Sequence, residues 1–357
     1  MTTDSTFRLA TRGSDLARRQ ASLVQSSLES RRRTVTLTEV STRGDEIRDE
    51  LIHRLGKTGA FVRSLDEKVL AGDVEAAVHS MKDMPTEMPD ALVVAGVPER
   101  APAGDVLVTP EGDELHQLPP NAVVGTSSLR RTAQLNANRP DLEVVPIRGN
   151  VDTRVQKLLA PTLQREHEAR MESDSDDAFD QTADEWFETL SELEREALGR
   201  NVDTAFDAIV LAEAGLKRIG LLDQLATTRL DRREFVPAPG QGAIAVTATD
   251  SDVIDTIKTA VDHPQTRIET TVERTVLETL GGGCIAPIGV HAILQGSHVK
   301  THVRVLASDG SEEVKSTRDI PVRDHAREAE SFAHDLREQG AATLIEEAKQ
   351  TATETDE

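Results

Sequence analysis

Five times along the chain a short apolar strand runs into a polar turn, and a helical pattern usually follows. Phe7–Ala10 leads into Thr11-Arg12-Gly13-Ser14, after which Leu16, Gln20, Leu23, Val24 and Leu28 recur at helical spacing. Ala76–Val78 leads into His79-Ser80-Met81-Lys82-Asp83-Met84-Pro85, and Ala122–Val124 into Gly125-Thr126-Ser127-Ser128-Leu129-Arg130-Arg131. Val144–Ile147 leads into Arg148-Gly149-Asn150 and then Val151, Val155, Leu158 and Leu159; Ala208–Leu211 leads into Ala214-Gly215-Leu216-Lys217-Arg218. Strands alternating with helices predict an α/β fold with a mostly parallel sheet, and such sheets bind ligands beyond the carboxyl ends of their strands. All five turns are therefore expected to face the same kind of crevice.

Phe61, Leu65 and Val69 predict a further helix, ended by Gly72. Pro237-Ala238-Pro239-Gly240-Gln241-Gly242 punctuates the chain before an apolar strand at 243–246, read as a crossover back to the first domain. From His263 onward the pattern changes. A helix through Ile268, Val272 and Val276 leads to a glycine-rich loop, alternating stretches follow at 290–294, 299–306 and 312–320, and a helix through Phe332, Leu336, Leu344 and Ile345 closes the chain. The expected division is residues 1–100 plus 241–261, residues 101–240, and a small α+β domain over 262–357. Residues 161–203 carry 14 acids against 4 arginines. They read as an acidic surface insertion without catalytic role, disordered in part, with one helix through Trp186, Leu190, Leu193 and Ala197 packed on the body.

The formal charge is −22, with 9 lysines against 32 arginines, and aromatics are few. An acidic, lysine-poor surface of this kind resembles proteins of salt-accumulating cells. It argues against nucleic acid or an anionic membrane as partner. The first residues have neither a basic start nor an apolar core, and no apolar run approaches a membrane span, so a soluble, cytoplasmic protein is expected.

Against this acidic background the strand-end turns are basic: Arg12, Lys82, Arg130, Arg131, Arg148, Arg154 and Arg218, accompanied by hydroxyls at Ser14, Ser80, Thr126, Ser127 and Ser128. Helix N-termini together with guanidinium forks suit a small polycarboxylate or phosphate. At ~1 M salt charges are screened within about 3 Å, so contact-range pairs are what can select such an anion. Asp83 adds a carboxylate at one basic turn. It reads either as a cap or ion-pair partner, or as an acid/base group and cation stabiliser. Cys284, the single cysteine, follows Gly281-Gly282-Gly283 and precedes Pro287. It cannot form an intrachain disulfide, and one thiolate is a poor basis for a metal site, so no metal is expected. A buried small hydrophobe and a sulfur used for covalent chemistry both remain open.

Taken in order, seven motifs resemble those of the porphobilinogen deaminase (hydroxymethylbilane synthase) family. They are Ala10–Ser14, His79–Pro85, Val124–Arg131, Ile147–Arg154, Leu211–Arg218, Gly240–Ala243 and Gly282–Cys284. The match is collinear over nearly the whole chain, the acidic insertion excepted. The resemblance implies two domains like type II periplasmic-binding proteins and a third that carries the cysteine loop. It implies a dipyrromethane primer, made from the enzyme's own substrate and linked to Cys284 by a thioether. Asp83 would protonate the departing ammonia of porphobilinogen, stabilise the azafulvenium cation and assist loss of the ring proton. Four additions would give a hexapyrrole, and hydrolysis would release linear hydroxymethylbilane. Every pyrrole bears an acetate and a propionate, so the growing chain is a polyanion. The implied cofactor contacts are Asp83, Lys82, Ser80, Thr126, Ser127, Ser128, Arg130, Arg131, Arg148, Arg154 and Gly283, with Lys82 also catalytic. The implied substrate contacts are Arg12, Ser14, Gln20, Arg148, Arg154, Arg218 and Gln241. The enzyme is expected to act as a monomer.

One departure concerns Gly56-Lys57-Thr58-Gly59, where the lysine lies one place earlier than the family's Gly-Lys-Gly pattern. Two other classes compete. A non-catalytic two-lobed receptor for a small polycarboxylate would explain the arginines but not Lys82-Asp83 beside a glycine-flanked thiol. An ATP phosphoribosyltransferase-like enzyme would have no use for Cys284.

Overall fold

The computed structural model describes residues 5–40, 60–172, 179–283 and 286–354. Cys284, Lys57, Thr58 and the acidic run at 173–177 lie outside the described residues.

The first lobe is a five-stranded sheet. Its strands are β1 (Ser5–Arg12), β2 (Arg33–Val40), β3 (Ala76–Ser80), β4 (Val93–Gly96) and β10 (Ile244–Ala248), in the order β2-β1-β3-β10-β4. The second lobe comprises β5 (Asp105–Val108), β6 (Val123–Gly125), β7 (Glu143–Val145), β8 (Ala208–Ala212) and β9 (Thr227–Arg229), in the order β7-β6-β8-β5-β9. The two orders are equivalent. β1 pairs parallel with β2 and β3, as β6 does with β7 and β8, and the antiparallel member is the strand that arrives from the other lobe, β10 or β5. This is the two-lobed arrangement that the resemblance implied. The central strands are buried on both faces, Ala76, Ala77, Ile209 and Val210 among them. Small aliphatic residues suit a sheet covered by helices on each side, which accounts for a core with so few aromatic rings.

Helices α1 (Asp15–Leu28), α2 (Ala60–Leu70) and α8 (Ser251–Val261) cover the first sheet. Ser14 starts α1 by accepting a hydrogen bond from the Ala17 amide at 3.3 Å, so a turn expected to bind ligand also serves as a helix cap. In the second lobe lie α3 (Leu129–Asn138), α4 (Val151–Glu172), α5 (Ala183–Thr189), α6 (Glu192–Leu198) and α7 (Glu213–Ile219).

The acidic segment departs from the expectation in two ways. Pro161 does not break the chain into an insertion, because α4 continues through it to Glu172. The single helix expected from Trp186 to Ala197 is two, α5 and α6, each opened by a capping box, Thr182 with Glu185 and Ser191 with Glu194. A second cap nine residues after the first stops one helix and starts another, which apolar spacing alone does not show. The Arg170 guanidinium lies 4.6 Å from the Phe179 ring centroid and 5.2 Å from that of Trp186, holding this segment to the end of α4.

The third unit is an antiparallel sheet of β11 (Ile288–Gln295), β12 (His298–Leu306) and β13 (Glu313–Pro321), packed on α9 (Pro264–Leu280), α10 (His325–Leu336) and α11 (Ala342–Glu354). Helix α9 starts with His263 as its cap and Pro264 in its first turn, where the missing N–H costs nothing.

Both lobe crossings pass under this unit. Glu273, fully buried on α9, accepts from Arg100 through two bonds of 2.8 and 2.9 Å. It also accepts from the Gly240 amide at 2.7 Å and the Ala292 amide at 2.8 Å. One carboxylate thus binds the outgoing crossing, the returning crossing and β11. The two crossings touch directly: Gly242 has φ 84°, and a Cβ there would sit 2.4 Å from the Ala101 carbonyl oxygen. Glu273→Ala should lower the unfolding free energy by about 3–5 kcal/mol, because it leaves the Arg100 charge buried without its partner. Denaturant unfolding monitored by circular dichroism would measure the loss, and a loss below about 1 kcal/mol would contradict this account.

Candidate active site

A cavity of about 560 Å³ opens between the lobes and the third unit. The first lobe lines it with Arg63 and the turn Lys82–Glu87; the second contributes Ser127 to Arg131 and Arg154. Ala238, Pro239 and Gln241 come from the returning crossing, and Leu277, Gly283, Ala286 and Ile288 from the third unit. Helix α9 ends where Gly281 adopts φ 70° and the Gly282 amide bonds back to the Leu277 carbonyl at 3.2 Å. A Cβ on Gly282 would lie 2.2 Å from Ile288 Cδ1, whereas one on Gly283 would meet nothing within 4 Å. The first two glycines therefore shape the loop, and the third is open.

Lys82 and Asp83 stand on a short 3₁₀ turn, Met81–Asp83, that continues β3. Met81 is buried and its amide donates to the Ala243 carbonyl at 3.1 Å, which fixes the turn to the residue just before β10. Asp83 is exposed towards the cavity and Lys82 is half-buried. Burial lowers the Lys82 ammonium below its ordinary value. Asp83 and Asp105 oppose that shift, and Arg131 and Arg154 reinforce it.

Asp105, at the first position of β5, is the buried anion of the site. Its Oδ2 accepts from Arg130 Nη2 at 2.8 Å, and its Oδ1 accepts from Arg131 Nη2 at 2.7 Å, Arg131 Nε at 3.1 Å and Gln241 Nε2 at 2.9 Å. Burial pushes this carboxyl up, but the two guanidinium groups outweigh burial and hold it well below the usual carboxylate range.

Three of the expected residues are already engaged within the protein. The four Nη hydrogens of Arg130 are all engaged, with Gln134 and the Val236 carbonyl at Nη1 and with Asp105 and Gln241 at Nη2. Its Nε is buried without a partner. Arg130 therefore braces the cleft wall that it also lines. Gln241 is likewise committed: its amide donates to Ala103, Gly104 and Asp105, and its oxygen accepts from Arg130. Ser127 donates its hydroxyl to the Ile147 carbonyl. By contrast, Arg131 spends three N–H groups on Asp105 and the Val210 carbonyl and keeps two. Arg154 uses only Nε, donated to the Gly149 carbonyl at 2.8 Å. Burial, and after it the Arg131 charge, lowers Arg154 to about 10.

Seven expected residues lie off the cavity lining. Thr126 is buried and its hydroxyl oxygen accepts from the Ser128 amide at 3.3 Å, so it shapes the turn. Ser14 caps α1, Gln20 is buried within α1, and Ser80 ends β3. Arg12 and Arg148 are half-buried at their strand-end turns. Arg218 donates to the Gly242 carbonyl at 2.7 Å, and burial lowers it to about 10. Neither Arg218, Arg154 nor Arg148 has a carboxylate partner among the described residues, unlike Arg130 and Arg131. Asp105, Arg63 and Leu277 were not singled out from the sequence. Leu277 follows the helical spacing that leads to the cysteine loop, but Asp105 is an isolated acid before an apolar strand and carries no local signal.

Together these features define a two-lobed α/β protein whose interdomain cleft is cationic on one wall and carries a carboxylate and an open glycine loop on the others. Comparison with known proteins makes the class specific. The family model "Porphobilinogen deaminase, dipyromethane cofactor binding domain" matches residues 7–168 and 192–255, and "Porphobilinogen deaminase, C-terminal domain" matches 267–339. A probable porphobilinogen deaminase of Halobacterium salinarum is 51% identical, covering 97% of this chain and 99% of that protein. One of Methanococcoides burtonii is 37% identical over 95% of this chain and 96% of its own length. The porphobilinogen deaminase of Thermobifida fusca is 37% identical over 96% of each chain.

The chain belongs to the porphobilinogen deaminase family. It is a transferase of tetrapyrrole biosynthesis, with the activity of a hydroxymethylbilane synthase and a dipyrromethane-cofactor-binding domain. The Halobacterium relative supports the salt-accumulating-cell reading of the composition. Residues 169–191, which fall between the matched stretches, include α5 and the segment stacked on Arg170. No helix among the described residues is long and apolar enough to cross a membrane.

Asp105→Asn should destabilise the protein by about 3 kcal/mol or more and reduce the fraction that carries cofactor, since two guanidinium groups lose their shared counter-charge. Thermal melts and intact-mass spectra would measure both effects; a variant with unchanged melting temperature and full loading would contradict the bracing role.

Proposed function

We propose that Cys284 carries the dipyrromethane by a thioether and that Asp83 is the acid/base group of the condensation. The observation that supports this reading best is one cavity shared by Lys82, Asp83, Arg131, Arg154 and the open Gly283 next to Cys284. The residues present fit the cofactor. Two pyrroles bring four carboxylates. Lys82, the two remaining N–H groups of Arg131 and the Nη groups of Arg154 are donors placed to receive them, with the start of α3 at Ser128 alongside. When bound, the dipyrromethane supplies the free α-carbon onto which substrate units are added.

Porphobilinogen enters with its acetate and propionate paired to cations, and Arg12, Arg148 and Arg218 extend the basic surface beyond the cavity for a chain that lengthens. Asp83 delivers a proton to the aminomethyl nitrogen, the carbon–nitrogen bond breaks and ammonia leaves. The methylene cation left on the substrate is delocalised into its pyrrole ring. The Asp83 carboxylate faces that ring's N–H and the positive charge, then takes up the proton released as the new carbon–carbon bond forms. Lys82 beside it pairs with a substrate carboxylate. After four additions, water releases linear hydroxymethylbilane.

Intact-mass spectrometry of the purified protein should give one dipyrromethane above the sequence mass, and Cys284→Ser should remove the excess; an unmodified yet fully active wild type would refute the covalent attachment. Asp83→Asn should keep the fold and the cofactor while lowering kcat by about 10²–10⁴-fold, as loss of an acid/base group does. Near-normal turnover of that variant would exclude the role given to Asp83.

A further inference from the structure

The turn that carries Asp83 runs on into a stretch of irregular backbone, 84–92, with few bonds of its own: the Met84 amide returns to the Met81 carbonyl, and Pro85 has no N–H. Across the cleft, Arg274 on α9 reaches this stretch. Its Nη2 donates to the Pro85 carbonyl at 2.6 Å and its Nη1 to the Met84 carbonyl at 3.4 Å. Among the described residues Arg274 has no carboxylate within ion-pair distance, so this half-buried cation is committed to two carbonyl groups. Burial lowers it below the ordinary arginine value, with Glu278 opposing. It is off the cavity lining, whereas Leu277, three residues further along α9, is on it.

From these contacts we infer that Arg274 is a positioning residue for Asp83. It sets the distance between that carboxylate and the glycines Gly281–Gly283, because one helix holds the turn at residue 274 and ends at Leu280. The neighbouring Glu273 binds the two crossings from the same helix, so consecutive residues of α9 fix the frame and the catalytic turn separately. A carboxylate that must serve first an amine and then a ring proton depends on this spacing, and a displacement of about 1 Å can cost 10²-fold in rate. The inference rests on the acid/base role proposed for Asp83.

The test uses the full-length, cofactor-loaded protein as Arg274→Ala, Arg274→Gln and Arg274→Lys, each with and without Asp83→Asn. Arg274→Ala should keep its cofactor by intact mass and its KM within about 2-fold, while kcat falls about 10- to 100-fold. Gln and Lys, which retain one donor group, should restore part of kcat. In the Asp83→Asn background Arg274→Ala should add less than about 2-fold, since both changes act through one group. Unchanged kcat, a raised KM at constant kcat, or a full additional loss without Asp83 would overturn the inference. If Arg274→Ala fails to fold or to load, Arg274→Gln decides alone, and loss of loading there too would assign Arg274 to cofactor assembly and overturn the positioning role. Near-normal turnover of Asp83→Asn by itself would instead sink the underlying acid/base reading.

Discussion

The cleft depends on a single buried carboxylate. Asp105 gathers two guanidinium groups and an amide from different parts of the second lobe and the returning crossing. Two arginines buried side by side would repel each other and lose hydration; one acid between them removes half that charge and supplies directed acceptors. Breaking such a cluster is costly because the remaining charges stay buried. What reaches the cavity is the unspent part of Arg131, together with Arg154 and Lys82, whose acidities are raised by burial. A cationic wall left short of counter-ions in this way is prepared for the carboxylates of a ligand.

Glu273 does for the third unit what Asp105 does for the second lobe. It is also fully buried, and its acceptors meet one guanidinium and two backbone amides that belong to three segments of the fold. The chain is strongly acidic, yet these two interior acids are individually bonded, while the excess negative charge lies on the surface and in residues 161–203. The two populations answer to different physics. Surface acids interact with water and salt at long range, and are screened; interior acids act at contact distance and are not. The same separation lets an anionic protein hold an anionic ligand.

The site is assembled from three units that share no local sequence. The Asp83 carboxylate comes from the turn after β3, the cationic wall from the start of α3 and from α4, and the glycine loop from the end of α9. Helix α9 is common to the frame and the loop, through Glu273, Arg274 and Leu277 within little more than one turn. Under the proposed function, a domain with no strand in either lobe thereby fixes one end of the growing chain, while the two lobes provide the charge and the acid.

Sequence alone determined the alternation of strand, turn and helix, the antiparallel third unit, the order of seven motifs and hence the family, and the nomination of Lys82, Asp83 and Cys284. Those features are written in short-range spacing and residue type. Tertiary structure decided which arginines are already bonded within the protein and which keep free donors. Arg130 and Arg131 are adjacent in a motif that reads uniformly as basic, yet one has all four Nη hydrogens engaged and the other keeps two N–H groups. Their partner Asp105 lies 25 residues from Arg130 and 136 from Gln241. It also decided that the acidic segment holds two capped helices, and that Pro161 lies inside a helix. An ion pair is chosen by distance in space, and burial sets what that pair is worth; neither quantity has a local trace in the chain.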